Sequence, residues 1–180
     1  PTAFSWDIAT VYFVMTDRFE NGDPGNDNSY GRSKDGKDEI GTFHGGDLKG
    51  LTAKLDYIAS LGVNALWITA PYEQIHGWVG GGIRGDFKHY GYHGYYVLDF
   101  TKIDQNMGSE QDFRTLMAEA HKRGIRVVMD VVMNHAGYAT MADTPTFEEQ
   151  GLKPLDFSIW YALMGPAKLP PEVVAKVQAD

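Results

Sequence analysis

At 180 residues, 43% hydrophobic and with a formal net charge of −8 at pH 7, the chain can bury one core but lacks the clustered Lys and Arg that nucleic acid demands. No apolar run approaches the roughly eighteen residues of a membrane span, and with no cysteine there is no disulfide framework. Aromatic residues make up 13%, with ten Tyr and four Trp, a surplus of flat apolar faces of the kind that sugar rings stack against. The chain starts at Pro1 without a charged-then-apolar leader, so a processed or excised segment is expected.

Residues 9–15 are rich in Val, Tyr and Phe and predict a first strand, closed by the polar turn 21–29. In that turn Asn21, Asp23, Asn26 and Asp27 are interleaved with Gly22, Pro24 and Gly25. Such composition commonly makes a solvated Asx-turn. The same oxygen density suits Ca²⁺, which takes about six to eight carboxylate, amide and carbonyl oxygens, although the spacing and terminal Glu of an EF-hand are missing. Over 47–60, Leu48, Leu51, Leu55 and Ile58 recur at helical spacing before Gly62, predicting one helix. Residues 63–69 form a second apolar strand, ended by Pro71.

From 70 to 106 the pattern predicts a long irregular stretch, crowded with Gly, Tyr, His and Trp and therefore functional rather than disordered. Gly80, Gly82 and Gly85 satisfy G-x-G-x-x-G, but no helix opens on them, so the match does not indicate a nucleotide; Arg84-Gly85-Asp86 reads as a turn. Tyr92, His93, Gly94, Tyr95 and Tyr96, followed by Asp99, make an aromatic core strand or a pyranose platform, in which rings stack and an imidazole meets rim hydroxyls. Residues 109–123 predict a helix capped by Ser109 with Asp112 and stopped by Gly124. The apolar, β-branched run 125–132 is a third strand, of the kind covered on both faces in a parallel sheet. At its C-terminal end Asp130, Asn134 and His135 present a carboxylate, an amide and an imidazole, the active-face pattern of a (β/α)₈ barrel. The resulting βαβαβ order implies right-handed crossovers.

These segments, in this order, resemble the alpha-amylase family of glycoside hydrolases over about residues 8–141, and the glycine-rich stretch before Tyr92 is most similar to bacterial periplasmic members. The resemblance implies an α/β fold made of the first three βα steps of a (β/α)₈ TIM barrel, incomplete in this chain. It also implies α-1,4-glucan substrates such as starch and maltodextrins, a retaining mechanism in the full-length family, and a periplasmic or extracellular location. Tyr95 would stack on the sugar beside the scissile bond, His93 and His135 would contact it, and Asp99 and Asp130 would support the site. Tyr96 stands where many members have Trp. Thr16 to Phe19, the following loop and Gly45-Gly46-Asp47 are similar to the ion loop of cyclodextrin glucanotransferases. That similarity implies Ca²⁺ held by the side chains of Asn21, Asp23, Asn26, Asp27 and Asp47 and the Gly45 carbonyl, with Asn134 on a second Ca²⁺.

Retaining glycosidases use two carboxyl groups about 5 Å apart. The family's fourth-strand motif, Gly-x-Arg-x-Asp with a His four positions on, finds only Asp156, with Pro154 in the Arg place and Trp160 in the His place. The nucleophile and acid/base are thus not read here, and the chain alone is expected to be inactive. Residues 144–180, through Trp160 and the turn at Pro170-Pro171, resemble instead a C-terminal region of tricarboxylate-type extracytoplasmic solute-binding proteins. The expected division is a partial barrel over 1–143 and an appended segment over 144–180, the alternative being a divergent lobe after the third barrel strand. Against the hydrolase reading stand a non-catalytic sugar- or solute-binding module and an inactive chimera. Unpaired sheet edges and an uncovered apolar face predict self-association.

Overall fold

Residues 4–32, 40–81 and 87–132 are described by a computed structural model. Strand β1 (Val11–Val14) leads through three short 3₁₀ turns into α1 (Leu48–Ala53) and α2 (Leu55–Ser60). The single helix expected over 47–60 is therefore corrected to two. Lys54 leaves helical geometry at φ −100°, ψ 7°, while Leu48, Leu51, Leu55 and Ile58 still make one buried stripe. Periodicity could not see the break because the stripe runs through it.

Strand β2 (Ala65–Ile68) follows. The connection expected to be irregular is then corrected to four short strands: β3 (Tyr72–Gln74), β4 (Val79–Gly81), β5 (Phe87–His89) and β6 (Val97–Ile103). They pair antiparallel, β3 with β6 and β4 with β5. Strands of three residues are too short to show an alternation in sequence. Helix α3 (Glu110–Lys122) opens on a reciprocal capping box between Ser109 and Asp112 and carries His121 and Lys122 in its last turn, both matched to the helix dipole. Strand β7 (Arg126–Met129) completes a parallel sheet in the order β1-β2-β7, with Val11 opposite Ala65 and Trp67 opposite Val128.

The two faces of this sheet differ. Val14, Leu66 and Ile68 turn into a core shared with Leu48, Leu51, Leu55, Ile58, Leu116, Ala120 and Ile125, against which Tyr12 and Val127 pack. Each fully buried Leu or Ile there contributes roughly 1.5–3 kcal/mol of transfer free energy. On the opposite face Val11, Phe13 and Trp67 stay 49%, 48% and 41% exposed, with Phe13 edge-on to Trp67 at 5.1 Å. Among the described residues β1 and β7 each pair with β2 alone, so both are edges. No helix among the described residues is long and apolar enough to cross a membrane. Asn134, His135 and the segment 144–180 lie outside the described residues.

Candidate active site and cation loop

The C-terminal end of the parallel sheet is where the polar side chains collect. Asp130 directly follows β7, and its N–H donates to the Ile68 carbonyl at 3.2 Å, which keeps it in register with β2. Tyr95 comes from the turn before β6, and its phenol donates to Asp130 Oδ2 at 2.8 Å. That single bond joins segments 35 residues apart. Gly94 makes the approach feasible: at φ +89° a Cβ would lie 2.7 Å from the Ala70 carbonyl oxygen, so the turn closes against the end of β2 only with glycine.

His93 stacks on Tyr95, with centroids 5.5 Å apart and planes 19° from parallel, and its Nδ1 accepts the Tyr95 N–H at 3.0 Å. A neutral ring that accepts at Nδ1 carries its proton on Nε2. Tyr96 and His89 pack edge-on and tilted against His93, and the Arg18 guanidinium lies 3.8 Å from the Tyr92 ring centre. Burial, followed by the bond to Asp130 and its charge, pushes the Tyr95 phenol up to about 12. Burial and then the Arg18 charge lower His89 below its usual range. Both favour neutral rings, which suits an uncharged ligand surface.

Asp99 stands apart from this group. Its carboxylate pairs with Lys102 at 2.8 Å and accepts from the Thr101 N–H and hydroxyl, and those partners, Lys102 first, hold it well below the usual carboxylate range. In this structure it bonds within β6, whereas Asp130 is the expected support residue that meets Tyr95.

The second constellation lies around the 3₁₀ turn at Pro24–Asn26. Asp47, fully buried, caps α1 through the Gly50 N–H at 2.7 Å. It also accepts from the N–H groups of Gly22 and Asp23 at 3.1 and 2.8 Å and from Asn26 Nδ2 at 3.1 Å. Asn21 Nδ2 donates to Asp27 Oδ1 at 2.8 Å. Both amides thus spend their NH₂ groups on carboxylates, and Asn21 Oδ1 and Asn26 Oδ1 are left buried without a hydrogen-bond partner. An acceptor left unsatisfied in the interior costs about 1–3 kcal/mol. Gly45 closes the loop at φ +90°, where a Cβ would meet Asp27 Oδ1 at 2.5 Å. Among the described residues no three His, Asp or Glu side chains form a metal-holding group. The donors here are instead amide oxygens beside Asp27, and orphaned hard-oxygen acceptors next to a carboxylate fit Ca²⁺. The carboxylate of Asp23, an expected side-chain ligand, bonds Lys49 and the Gly25 N–H in this structure.

Two supports escaped the sequence reading. Buried Asp17 accepts from the backbone N–H groups of His44 and Gly45 and from Arg18, fixing the segment that carries Gly45; burial outweighs these partners and raises its carboxyl above the usual range. Its place in the Thr16 to Phe19 match was the available signal. Arg32, with a fully buried guanidinium, bonds Asp104, Asn106 and the Gln74 and Ile75 carbonyls.

Comparison with known proteins places this geometry in context. The alpha-amylase catalytic-domain family matches residues 13–178. The chain is 70% identical over 145 residues to the periplasmic alpha-amylase of Escherichia coli (strain K12), covering 81% of this chain and 21% of that protein. It is 36% identical over 151 residues to the cyclomaltodextrin glucanotransferase of Bacillus sp. (strain 1011), covering 82% of this chain and 20% of that one. Among solved structures, the alpha-amylase from Geobacillus thermoleovorans complexed with acarbose aligns with a TM-score of 0.60 at 37% identity, over 81% of this chain and 28% of that one. The chain thus spans about a fifth of the length of these two curated relatives.

Proposed function

The chain belongs to the alpha-amylase catalytic-domain family, and we propose that it supplies the N-terminal part of an α-glucan-acting barrel, with one wall of the sugar subsite and a calcium loop. The observation that carries this reading is the Tyr95–Asp130 hydrogen bond, which fixes an aromatic plate at the C-terminal end of the parallel sheet. A glucose ring would lie against Tyr95 and be met at its rim by His93, and by His135 from the segment that follows Asp130. Tyr95 remains a neutral donor, and Asp130 orients it. The relative in E. coli, named as periplasmic, supports the same compartment for this chain.

Asn21, Asn26, Asp27, Asp47 and the Gly45 carbonyl would hold Ca²⁺ in the loop, and Asn134 a second ion. The ion would supply positive charge that satisfies the orphaned amide oxygens and ties the loop to the start of α1. Cleavage of a glycosidic bond needs a second placed carboxyl group about 5 Å from the first. Asp130 is occupied by Tyr95 and Asp99 by Lys102, so the chain alone binds without hydrolysing. Exposed Phe13 and Trp67, between the two sheet edges, support association through that face with a second copy or with the rest of a barrel.

Titration of the pure 180-residue chain with maltoheptaose, alongside a reducing-sugar assay, tests the reading. Binding that disappears in Tyr95→Ala without any release of reducing ends is expected. Turnover lost in Asp130→Asn or Asp99→Asn would overturn the missing-carboxylate argument, and no binding at any accessible concentration would remove the sugar wall.

A further inference from the structure

We propose that Arg32 is a positioning residue that couples the calcium loop to the aromatic platform, so that ion binding at one end biases the geometry of Tyr95 and Tyr96 at the other. This rests on the calcium and glucan reading above but concerns a residue which that reading does not use.

The path is continuous and buried. At the loop end, Asn106 Nδ2 donates to the backbone carbonyls of Asn26 and Asp27 at 3.0 and 2.9 Å. These are the residues whose side chains carry an orphaned amide oxygen and the carboxylate beside it. Asn106 Oδ1 in turn accepts from Arg32 Nη1 at 2.7 Å, and the same nitrogen donates to both oxygens of Asp104 at 2.8 and 2.9 Å. Arg32 Nη2 reaches the other way, to the carbonyls of Gln74 and Ile75 at 2.7 and 3.0 Å. Asp104 also accepts the Gln74 N–H at 2.8 Å, so β3 is gripped through both of its backbone groups at Gln74. Gln74 Oε1 then accepts the Tyr96 N–H at 2.7 Å, and the Ile75 N–H donates to the Tyr96 carbonyl at 2.9 Å. Tyr96 is adjacent to Tyr95 in the chain and packs edge-on to His93 at 4.5 Å.

Two features make this more than packing. The Arg32 and Asp104 side chains are wholly buried, and both terminal guanidinium nitrogens are hydrogen-bonded while Nε is left without a partner, so the charge pair depends on the geometry of those contacts. Moreover, the planar guanidinium spans four acceptor groups from two separate segments, which an ammonium cannot do from one point. Chains of packed, hydrogen-bonded side chains of this kind are the physical route by which coupling between two sites is carried. Asn26 and Asp27, on taking up a cation, would shift the carbonyls that Asn106 reads, and Arg32 would pass the shift to Gln74.

Amide NMR of the full 180-residue chain titrated with CaCl₂ tests this. In the wild type, the Tyr96 and Gln74 amides should move with the same saturation curve as Asn26. In Arg32→Lys, which keeps the charge but not the fork, Asn26 should still titrate while Tyr96 stays still. Maltoheptaose affinity should rise on calcium saturation by about fivefold or more in the wild type only. If Arg32→Lys does not fold, Asn106→Ala cuts the same path at its loop end and should silence Tyr96 likewise. A Tyr96 amide that ignores calcium while Asn26 responds, or that follows it in both variants, overturns the proposal. If no amide responds to calcium, the ion reading fails by itself. The path is then read without ion: Asn106→Ala should displace the Tyr96 amide relative to wild type, and an unmoved Tyr96 overturns the coupling too.

Discussion

The proposed calcium loop and the aromatic platform are built on different terms. In the loop, Asp47 alone satisfies the N–H groups of Gly22, Asp23 and Gly50 and the amide of Asn26, all within a few residues of either turn. The platform is held by bonds to distant segments, Tyr95 to Asp130 and Tyr96 to Gln74 and Ile75, and by ring contacts among His89, His93 and Tyr96. The loop is therefore a self-contained device whose donors lie inside the described chain. The platform is proposed as one wall of a sugar site. Ion binding should be nearly complete in this chain, whereas sugar binding should be partial.

That contrast breaks most visibly at Asp47. Asp47→Ala removes a helix cap and orphans three further donors, and should lower unfolding free energy by about 3 kcal/mol in urea denaturation. A loss under about 1 kcal/mol would mean that solvent readily replaces the carboxylate. Calcium comes next: at a hundredfold excess over its dissociation constant it should add about 2.7 kcal/mol, removed by chelator and abolished in Asn26→Ala. Asp23→Ala sharpens the ligand set. Because its carboxylate is occupied by Lys49 and Gly25, most of the calcium-induced rise in melting temperature should survive.

Effects on the platform should be smaller. Tyr95→Phe deletes one partly buried hydrogen bond and should cost about 1 kcal/mol, with no change in calcium affinity. The pH dependence has a definite sign. Folding raises the Tyr95 phenol from 10.0 to about 12, so its contribution is complete below pH 10 and fades as pH climbs toward about 12. Ultraviolet titration should show one tyrosine ionising late in the wild type, and that late step should vanish in Tyr95→Phe.

What could be read from the sequence follows the range of each interaction. Helix α3 was legible because its signals are local: Ser109 and Asp112 form the expected capping box, and Gly124 at φ +73° ends the helix. The three parallel strands were legible as apolar runs. Strands β3 to β5 were not, since three-residue strands depend on partners such as Ile103 opposite Tyr72, and the seven-residue β6 shows no strict inside–outside alternation. His93 and Tyr95 could be singled out by residue type, but the Asp130 partner is a product of folding. Counting oxygens between Asn21 and Asp27 located the loop without revealing that Lys49 takes up Asp23. Arg32 was invisible for a similar reason: its burial is made by Asp104 and Asn106, more than seventy residues away.

The account stands most directly on whether the ring of Tyr95 touches sugar. Saturation-transfer NMR with maltoheptaose on the calcium-loaded chain should show transfer to glucose protons that is lost in Tyr95→Ala and kept in Asp99→Asn, whose carboxylate serves Lys102 and Thr101. Transfer that persists undiminished in Tyr95→Ala would contradict the assignment of this platform as the glucan wall.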